Sequence, residues 1–275
     1  MARHKMGAAA ALIMQWVKVN SSGAAKRYAD LLDLSEADPL YISCAEICPW
    51  YAEVIFNRKF MIKRLIQARL DQSELPCQLV LLGSGWSPLA LELIETRRAR
   101  LAQIFEIDHE SPAEKKKLFY EVEPLSKGLV TFIGSELGAL DRLDKHGIRR
   151  DIPSIILLEG ASYFLPPKTL AHMMRLFKSG QRHNYCIAEY LVPEGQVTSF
   201  RRDIPHAIFD SIAMAGGYAD MTTYNRASLS ALFRGEGGEP LEHFTLSDME
   251  KQRTGETKFF PSADHGWIEI LTAEL

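Results

Sequence analysis

The chain has 275 residues, of which 47% are hydrophobic and 24% are charged, an ordinary composition for a globular protein. This length suits one large α/β domain, or one domain that carries a helical cap. The net charge is -3 at pH 7, and there is no long block of basic residues. Both facts argue against nucleic acid or an anionic membrane as the main partner.

The four cysteines follow no zinc-binding spacing; they are Cys44, Cys48, Cys77 and Cys186. A chain of this length does not need disulfides to hold a core. We therefore expect reduced thiols, no metal site and a reducing, cytoplasmic environment.

An apolar run over residues 6–17 follows Arg3, His4 and Lys5, and in this respect it resembles a secretory signal. The run is too short to span a bilayer. No small-x-small cleavage site follows it, and a helical pattern continues to Leu34. We favour a buried N-terminal helix, with a signal peptide as the alternative.

Residues 1–72 have the pattern of helices, and from Cys77 the pattern changes to short apolar runs that alternate with amphipathic segments. Near-continuous apolar character is expected of parallel strands that helices cover on both faces. This alternation predicts βα units around a parallel sheet. The predicted strands are 78–82, 103–107, 129–133, 154–158 and 184–191, and two predicted helices are 88–98 and 167–177.

The C-terminal part differs, because residues 243–247 and 267–272 look like two strands joined by a polar stretch without a good helix. Two strands joined without a crossover helix must be antiparallel. The sequence therefore predicts an α/β fold in one domain over 1–275. A helical cap over 1–72 precedes a core over 73–275, in which an antiparallel hairpin follows five parallel strands.

Gly83, Ser84 and Gly85 form a turn between the first predicted strand and a helix whose start Pro88 favours. Glycines at such a turn let a ligand approach the backbone, and the helix N-terminus offers free amide groups. A plain tight turn is the alternative. Proline at position 88 replaces the third glycine of a dinucleotide fingerprint, which argues against NAD.

Two acidic residues close predicted strands. Asp108 is placed to accept hydrogen bonds from two ribose hydroxyls, and it is a better candidate than Glu106, which falls earlier on the strand. Glu159 ends a strand so apolar that its carboxylate is costly without a partner. Tyr163 and Phe164 follow it, either as a pocket wall or as core packing.

Arg58 lies in a predicted helix over 54–70, on the same face as Ile55 and Ile62. A buried guanidinium needs a partner, and its planar shape suits a carboxylate in bidentate geometry. The partner is either a ligand or a structural ion pair.

These stretches together resemble the leucine carboxyl methyltransferase family, over roughly residues 51–193. The resemblance rests on the order and spacing of several motifs: the helix with Arg58, the glycine turn, 105–108, 132–137, 158–159 and 163–164. It implies a Rossmann-like, seven-stranded class I methyltransferase sheet that binds S-adenosyl-L-methionine (SAM).

The resemblance also implies roles for individual residues. Arg58 grips the methionine carboxylate, and Glu159 faces the methionine amino group. Gly83 approaches the ligand through its own backbone, Asp108 takes the ribose hydroxyls, and Glu136 with Leu137 lies against the adenine. Ser84 and Gly85 of the glycine turn complete the expected cofactor-binding residues. Glu159 and Tyr163 are the catalytic candidates.

Two departures from the family pattern weaken any transfer of its protein-phosphatase substrate. Ser87 and Pro88 stand where the family usually has Asp-Thr, and Glu136 stands where it usually has Asp. We therefore expect the acceptor to be a carboxylate of a small molecule or a peptide. A carboxylate is already ionised at pH 7, so the reaction needs no general base. The candidate substrate-pocket residues are aromatic or basic: Trp50, Tyr51, Phe56, Tyr190 and Arg201, with Arg202 as a second basic candidate.

A second enzyme class stays open, because some relatives of this fold consume SAM itself. In azetidine-2-carboxylate synthases the amino nitrogen attacks the γ-carbon and expels methylthioadenosine. The aromatic residues around Trp50 and the missing Asp-Thr are compatible with such a cyclase. A SAM-binding regulator without catalysis is the third reading.

Overall fold

The computed structural model describes residues 3–110, 112–180, 184–216 and 221–275. Its main feature is a seven-stranded sheet in the order β3-β2-β1-β4-β5-β7-β6. The strands, numbered along the chain, are β1 (Cys77–Leu82), β2 (Leu101–Asp108), β3 (Val130–Gly134), β4 (Ser154–Leu158), β5 (Tyr185–Leu191), β6 (Glu239–Thr245) and β7 (Ile268–Glu274).

The first five strands are parallel, and β7 pairs antiparallel with both β5 and β6. Every residue of β1, β4 and β5 is buried, as expected of strands that are covered on both faces. The predicted fold class and the five parallel strands are confirmed, with bounds that differ by one or two residues. The chain order reverses between β1 and β4, which lie side by side at the centre of the sheet.

Helices surround this sheet and form the cap. Those of the cap are α1 (Ala8–Asn20), α2 (Gly23–Asp30), α3 (Asp38–Ile47) and α4 (Tyr51–Gln72). Those of the core are α5 (Leu89–Arg97), α6 (Pro112–Val122), α7 (Pro167–Leu176), α8 (Asp203–Gly216), α9 (Arg226–Gly235) and α10 (Leu246–Thr254). A two-residue parallel pairing also joins His4–Lys5 to Leu32–Asp33.

The N-terminal helix packs into the fold as predicted. Leu12, Met14 and Trp16 of α1 are buried, and α1 contacts α3, α4 and α8. Within the described ranges, no helix is long and apolar enough to cross a membrane. The four cysteines are buried and make no disulfide.

The connection between β6 and β7 corrects one prediction. The stretch expected to lack a helix contains α10, which a capping box of Thr245 and Asp248 begins and Gly255 ends in a left-handed conformation. The helix escaped prediction because it is mostly polar and buries only Leu246, Met249 and Glu250. The antiparallel pairing of β6 with β7 is nevertheless confirmed.

Candidate active site

A cavity of about 690 Å³ lies at the carboxyl ends of the parallel strands. Its walls come from the loops after β1, β2, β3 and β4 and from helices α1, α4 and α8. In open α/β sheets ligands bind in this crevice, beside the point where the strand order reverses. The cavity is therefore the candidate site, and each predicted residue can be placed against it.

The glycine turn forms one wall. Gly83 and Gly85 have φ angles of 66° and 48°, a left-handed backbone that glycine adopts without steric cost. A Cβ on Gly83 would lie 2.8 Å from the Cβ of Ala161, so the loops after β1 and β4 can meet only because this residue is glycine. A Cβ on Gly85 would meet nothing within 4 Å, which leaves open space beside the turn.

Asp108 fixes this turn to the end of β2. Its Oδ2 accepts a hydrogen bond from the Gly85 amide at 2.8 Å, and its Oδ1 accepts one from the Glu110 amide at 2.9 Å. A carboxylate has about four lone-pair positions, so both oxygens keep capacity for a ligand. The Ser84 hydroxyl beside them is buried and has no hydrogen-bond partner among the described residues.

Arg58 also lines the cavity, on the buried face of α4 as predicted. Its Nη1 donates to Oε1 of Glu189 at 2.7 Å, and its Nη2 lies 3.7 Å from Oε1 of Glu159, beyond hydrogen-bond distance. Its Nε is buried without a partner among the described residues. One edge of the guanidinium is thus anchored, and the other has donors to spare.

Glu159 faces Arg58 and also pairs with Lys59, whose Nζ lies 2.6 Å from its Oε1. Burial disfavours the charge of Glu159, but Lys59 and Arg58 outweigh burial and hold the pKa of this carboxyl below its usual range. Glu159 therefore stays ionised near neutral pH. We call Arg58, Lys59, Glu159 and Glu189 the polar floor; two of its side chains are cationic and two are carboxylates.

Glu189, like Lys59, was not among the site residues predicted from the sequence. It is fully buried in the middle of β5, and burial raises its pKa to about 7, with a further contribution from the charge of Glu159. Its Oε1 accepts from Arg58 and from the hydroxyl of Tyr163, whereas its Oε2 has no partner in the described chain. The signal was available, because a carboxylate inside an apolar strand is as costly as one at its end.

Tyr163 connects the polar floor to the aromatic part of the cavity. Its hydroxyl donates to Glu189, and its ring lies 5.7 Å from the ring of Phe209 on α8, edge to face. Both rings line the cavity. The tyrosine is thus fixed at its polar end and presents its ring as a wall.

The family model for leucine carboxyl methyltransferase matches residues 24–178, which is more than half of the chain. The chain belongs to this family. The match covers the cap from α2 onward and the sheet through β4 and α7, so it includes the glycine turn, Asp108 and most of the polar floor. A comparison with curated proteins finds no match.

Solved structures support the fold of this leucine carboxyl methyltransferase family member. A DUF574 family protein from Streptomyces avermitilis has a TM-score of 0.63 at 13% identity, with 98% of this chain and 97% of that chain covered. A Nostoc punctiforme protein, provisionally described as an O-methyltransferase, has a TM-score of 0.50 at 14% identity; the similarity covers 82% of this chain. The chain spans only 60% of the length of the Nostoc protein.

Family and fold are those of SAM-dependent methyltransferases. The SAM cyclase receives no support from either comparison. In this family member all of the residues expected to bind the cofactor line one cavity: Arg58, Gly83, Ser84, Gly85, Asp108, Glu136, Leu137 and Glu159. Glu106, the acid that we ranked below Asp108, is instead buried in an ion pair with Lys115 at 2.6 Å.

Of the five predicted substrate-pocket residues, only Tyr51 lines the cavity. Tyr190 cannot, because neighbouring side chains of a strand point to opposite faces and Glu189 takes the face of Arg58. The Tyr190 hydroxyl instead donates to Glu269 at 2.5 Å. The prediction of a cavity position for Tyr190 is therefore wrong.

The other three residues are also placed elsewhere. Trp50 stacks on Phe259, with the guanidinium of Arg201 lying 4.6 Å from the Trp50 ring centroid. Arg201 donates to the backbone carbonyls of Phe259 and His265, so its guanidinium binds the segment between α10 and β7. Phe56 points to Arg253 of α10. Arg202, the second basic candidate, has its Nε 4.0 Å from Glu194.

Proposed function

We propose that this protein transfers the methyl group of SAM to a carboxylate oxygen of an acceptor bound in the same cavity. The observation that carries the proposal is the presence of two polar clusters in one cavity. One cluster is the glycine turn braced by Asp108, and the other is the polar floor. SAM has a nucleoside at one end and a charged amino acid at the other, which matches this arrangement.

The residues present fit SAM at each end. Nη2 and Nε of Arg58 make no hydrogen bond to any described residue, and these are the donors that a ligand carboxylate needs. The ionised Glu159 suits the ammonium of the methionine part. Asp108 keeps lone pairs for ribose hydroxyls, and the buried Ser84 hydroxyl, which has no partner in the described part of the chain, is a further polar group. Glu136 and Leu137 remain our candidates for the adenine end.

When bound, SAM supplies a methyl group on a positively charged sulfur, and methyl transfer breaks the carbon–sulfur bond and leaves a neutral thioether. The protein has to orient the acceptor and exclude water. Tyr163 and Glu159 are therefore proposed to shape and orient the reacting groups, without acting as a base. A carboxylate acceptor carries its negative charge at neutral pH and needs no deprotonation.

Incubation of the protein with SAM and a mixed pool of carboxylic acids, read by mass spectrometry, tests the proposal. We expect S-adenosylhomocysteine to form together with methyl esters, and only when acceptor is present. Methylthioadenosine formed without an acceptor would contradict the proposal and indicate a SAM-consuming cyclase.

A further inference from the structure

We infer that the acceptor is a small molecule with an apolar body, held beneath α1 and α8 with its carboxylate directed to the polar floor. The inference rests on the proposed function, because it names the class of molecule that would share the cavity with SAM. Its basis is a set of cavity-lining side chains that the SAM assignment leaves unused, which we call the apolar lid: Ala9, Ala10, Ile13, Met14, Phe209 and Ile212.

The residues of the apolar lid share one face on each of two helices. On α1, Ala9, Ala10, Ile13 and Met14 recur at the spacing of one helix face. On α8, Phe209 and Ile212 are three residues apart, again on one face. The two helices contact each other, and the six side chains line one part of the cavity.

The lid begins where the polar floor ends. Phe209 packs edge to face on Tyr163, whose hydroxyl is bonded to Glu189 of the floor. Phe164 and Leu165 continue this wall beside Tyr163. An acceptor carboxylate near the floor would therefore have an apolar surface immediately behind it.

The side chains of the lid select against a peptide acceptor. None of the six can donate a hydrogen bond, and only the Met14 thioether can accept one, weakly, whereas a peptide brings amide groups that are costly to bury unpaired. The basic side chains that line the cavity in the described chain lie away from the lid, at the polar floor and beside the glycine turn. Arg58 and Lys59 pair with the carboxylates of the floor, and His109 lies beside Asp108. A hydrocarbon chain or an aromatic ring has no amide groups, so it loses no hydrogen bonds when it is buried against this surface.

Calorimetric titration of protein saturated with S-adenosylhomocysteine tests the inference, with straight-chain carboxylates from butanoate to dodecanoate as probes. Each methylene buried under the lid is expected to tighten binding about fourfold, until the compartment is full. A short peptide that ends in leucine serves as the comparison, and we expect it to bind more weakly than the best straight-chain acid.

Matched variants on the same helices locate the binding surface. Ala10→Phe fills the compartment and should shift the preferred chain length to shorter acids, whereas Val19→Phe, at a position 73% exposed on α1, should not. Where Ala10→Phe fails to fold, Ile212→Ala serves instead. It should weaken the longest acids about tenfold, and Met214→Ala, at a position 79% exposed on α8, is its control.

The two proposals fail in different ways. If S-adenosylhomocysteine itself does not bind, the proposed function fails, and the acceptor class fails with it. If S-adenosylhomocysteine binds but no acid binds, or affinity does not rise with chain length, or the peptide binds best, the acceptor class is overturned while SAM binding stands.

Discussion

The sequence pattern of Arg58 left two roles open, a structural ion pair and a ligand contact, and the structure is compatible with both. Arg58 forms a structural ion pair through Nη1 with Glu189, while its Nη2 and Nε have no hydrogen bond to the described residues and are proposed to bind the ligand. The apolar spacing around Arg58 could place the charge on a buried face, but no local pattern shows that Glu189 reaches it from a strand 131 residues away. The same limit applies to the direction in which a side chain points. Trp50 and Tyr190 have the right chemistry for a pocket and point away from it.

Arg58→Lys keeps the positive charge but loses the planar fork, so we expect SAM to bind about tenfold more weakly. Adenosine lacks the methionine carboxylate, so its affinity should not change. Calorimetric titrations with both ligands measure this. Arg64→Lys, at an exposed arginine of the same helix, is the matched control and should leave both affinities unchanged. If the affinities for SAM and adenosine fall by the same factor, Arg58 has only a structural role and does not contact the methionine carboxylate.

Asp108→Asn should give the complementary pattern. One oxygen remains to brace the glycine turn, but the charged acceptor for ribose hydroxyls is lost, which costs about 1–3 kcal/mol. SAM and adenosine should therefore weaken by the same factor, measured by the same titrations. A folded Asp108→Asn protein with unchanged affinity for both would remove Asp108 from the site.

Glu189 should give the protein a pH-dependent stability. Because burial raises its pKa from 4.5 to about 7, the folded state holds a proton that the unfolded state has released between these values. The stability of the wild type relative to Glu189→Gln should therefore fall as the pH rises from about 4.5 to about 7, and then level off. Urea unfolding of both proteins at several pH values measures the difference. A difference that is flat across this window would show that Glu189 is ionised throughout.

At the scale of elements, the glycine turn was predictable from the sequence, but its contact with the loop after β4 was not. Strand, turn and helix can be identified from the apolar run, the glycines and Pro88, and the structure places Pro88 as the N-cap of α5. The contact of Gly83 with Ala161 is set by the pairing of β1 with β4, which lies beyond local sequence. The polar helix α10 could not be predicted, because its apolar residues show only weak helical periodicity.

Gly83→Ala should destabilise the protein more than Gly85→Ala. Both introduce a Cβ at a positive φ, which costs about 1 kcal/mol or more, but only at Gly83 does the new Cβ meet another side chain. Thermal unfolding measures both variants. Adding Ala161→Gly should recover part of the loss in Gly83→Ala and none in Gly85→Ala, and the absence of such coupling would mean that the loops after β1 and β4 do not touch.

At the scale of the whole molecule, the fold followed from the sequence because long apolar strands are a strong signal and their order is limited by topology. The site followed in part, since strand ends converge at one edge of a parallel sheet. The lid formed by α1 and α8 could not be predicted, because these helices are far apart in sequence and meet only through tertiary packing.

The proposed function depends above all on SAM binding in the cavity that the glycine turn and the polar floor line. Calorimetric titration of the purified protein with SAM, and separately with NADH, tests it most directly. We expect micromolar-range affinity for SAM, a higher melting temperature in its presence and no binding of NADH. Binding of NADH without any binding of SAM or S-adenosylhomocysteine would contradict the account.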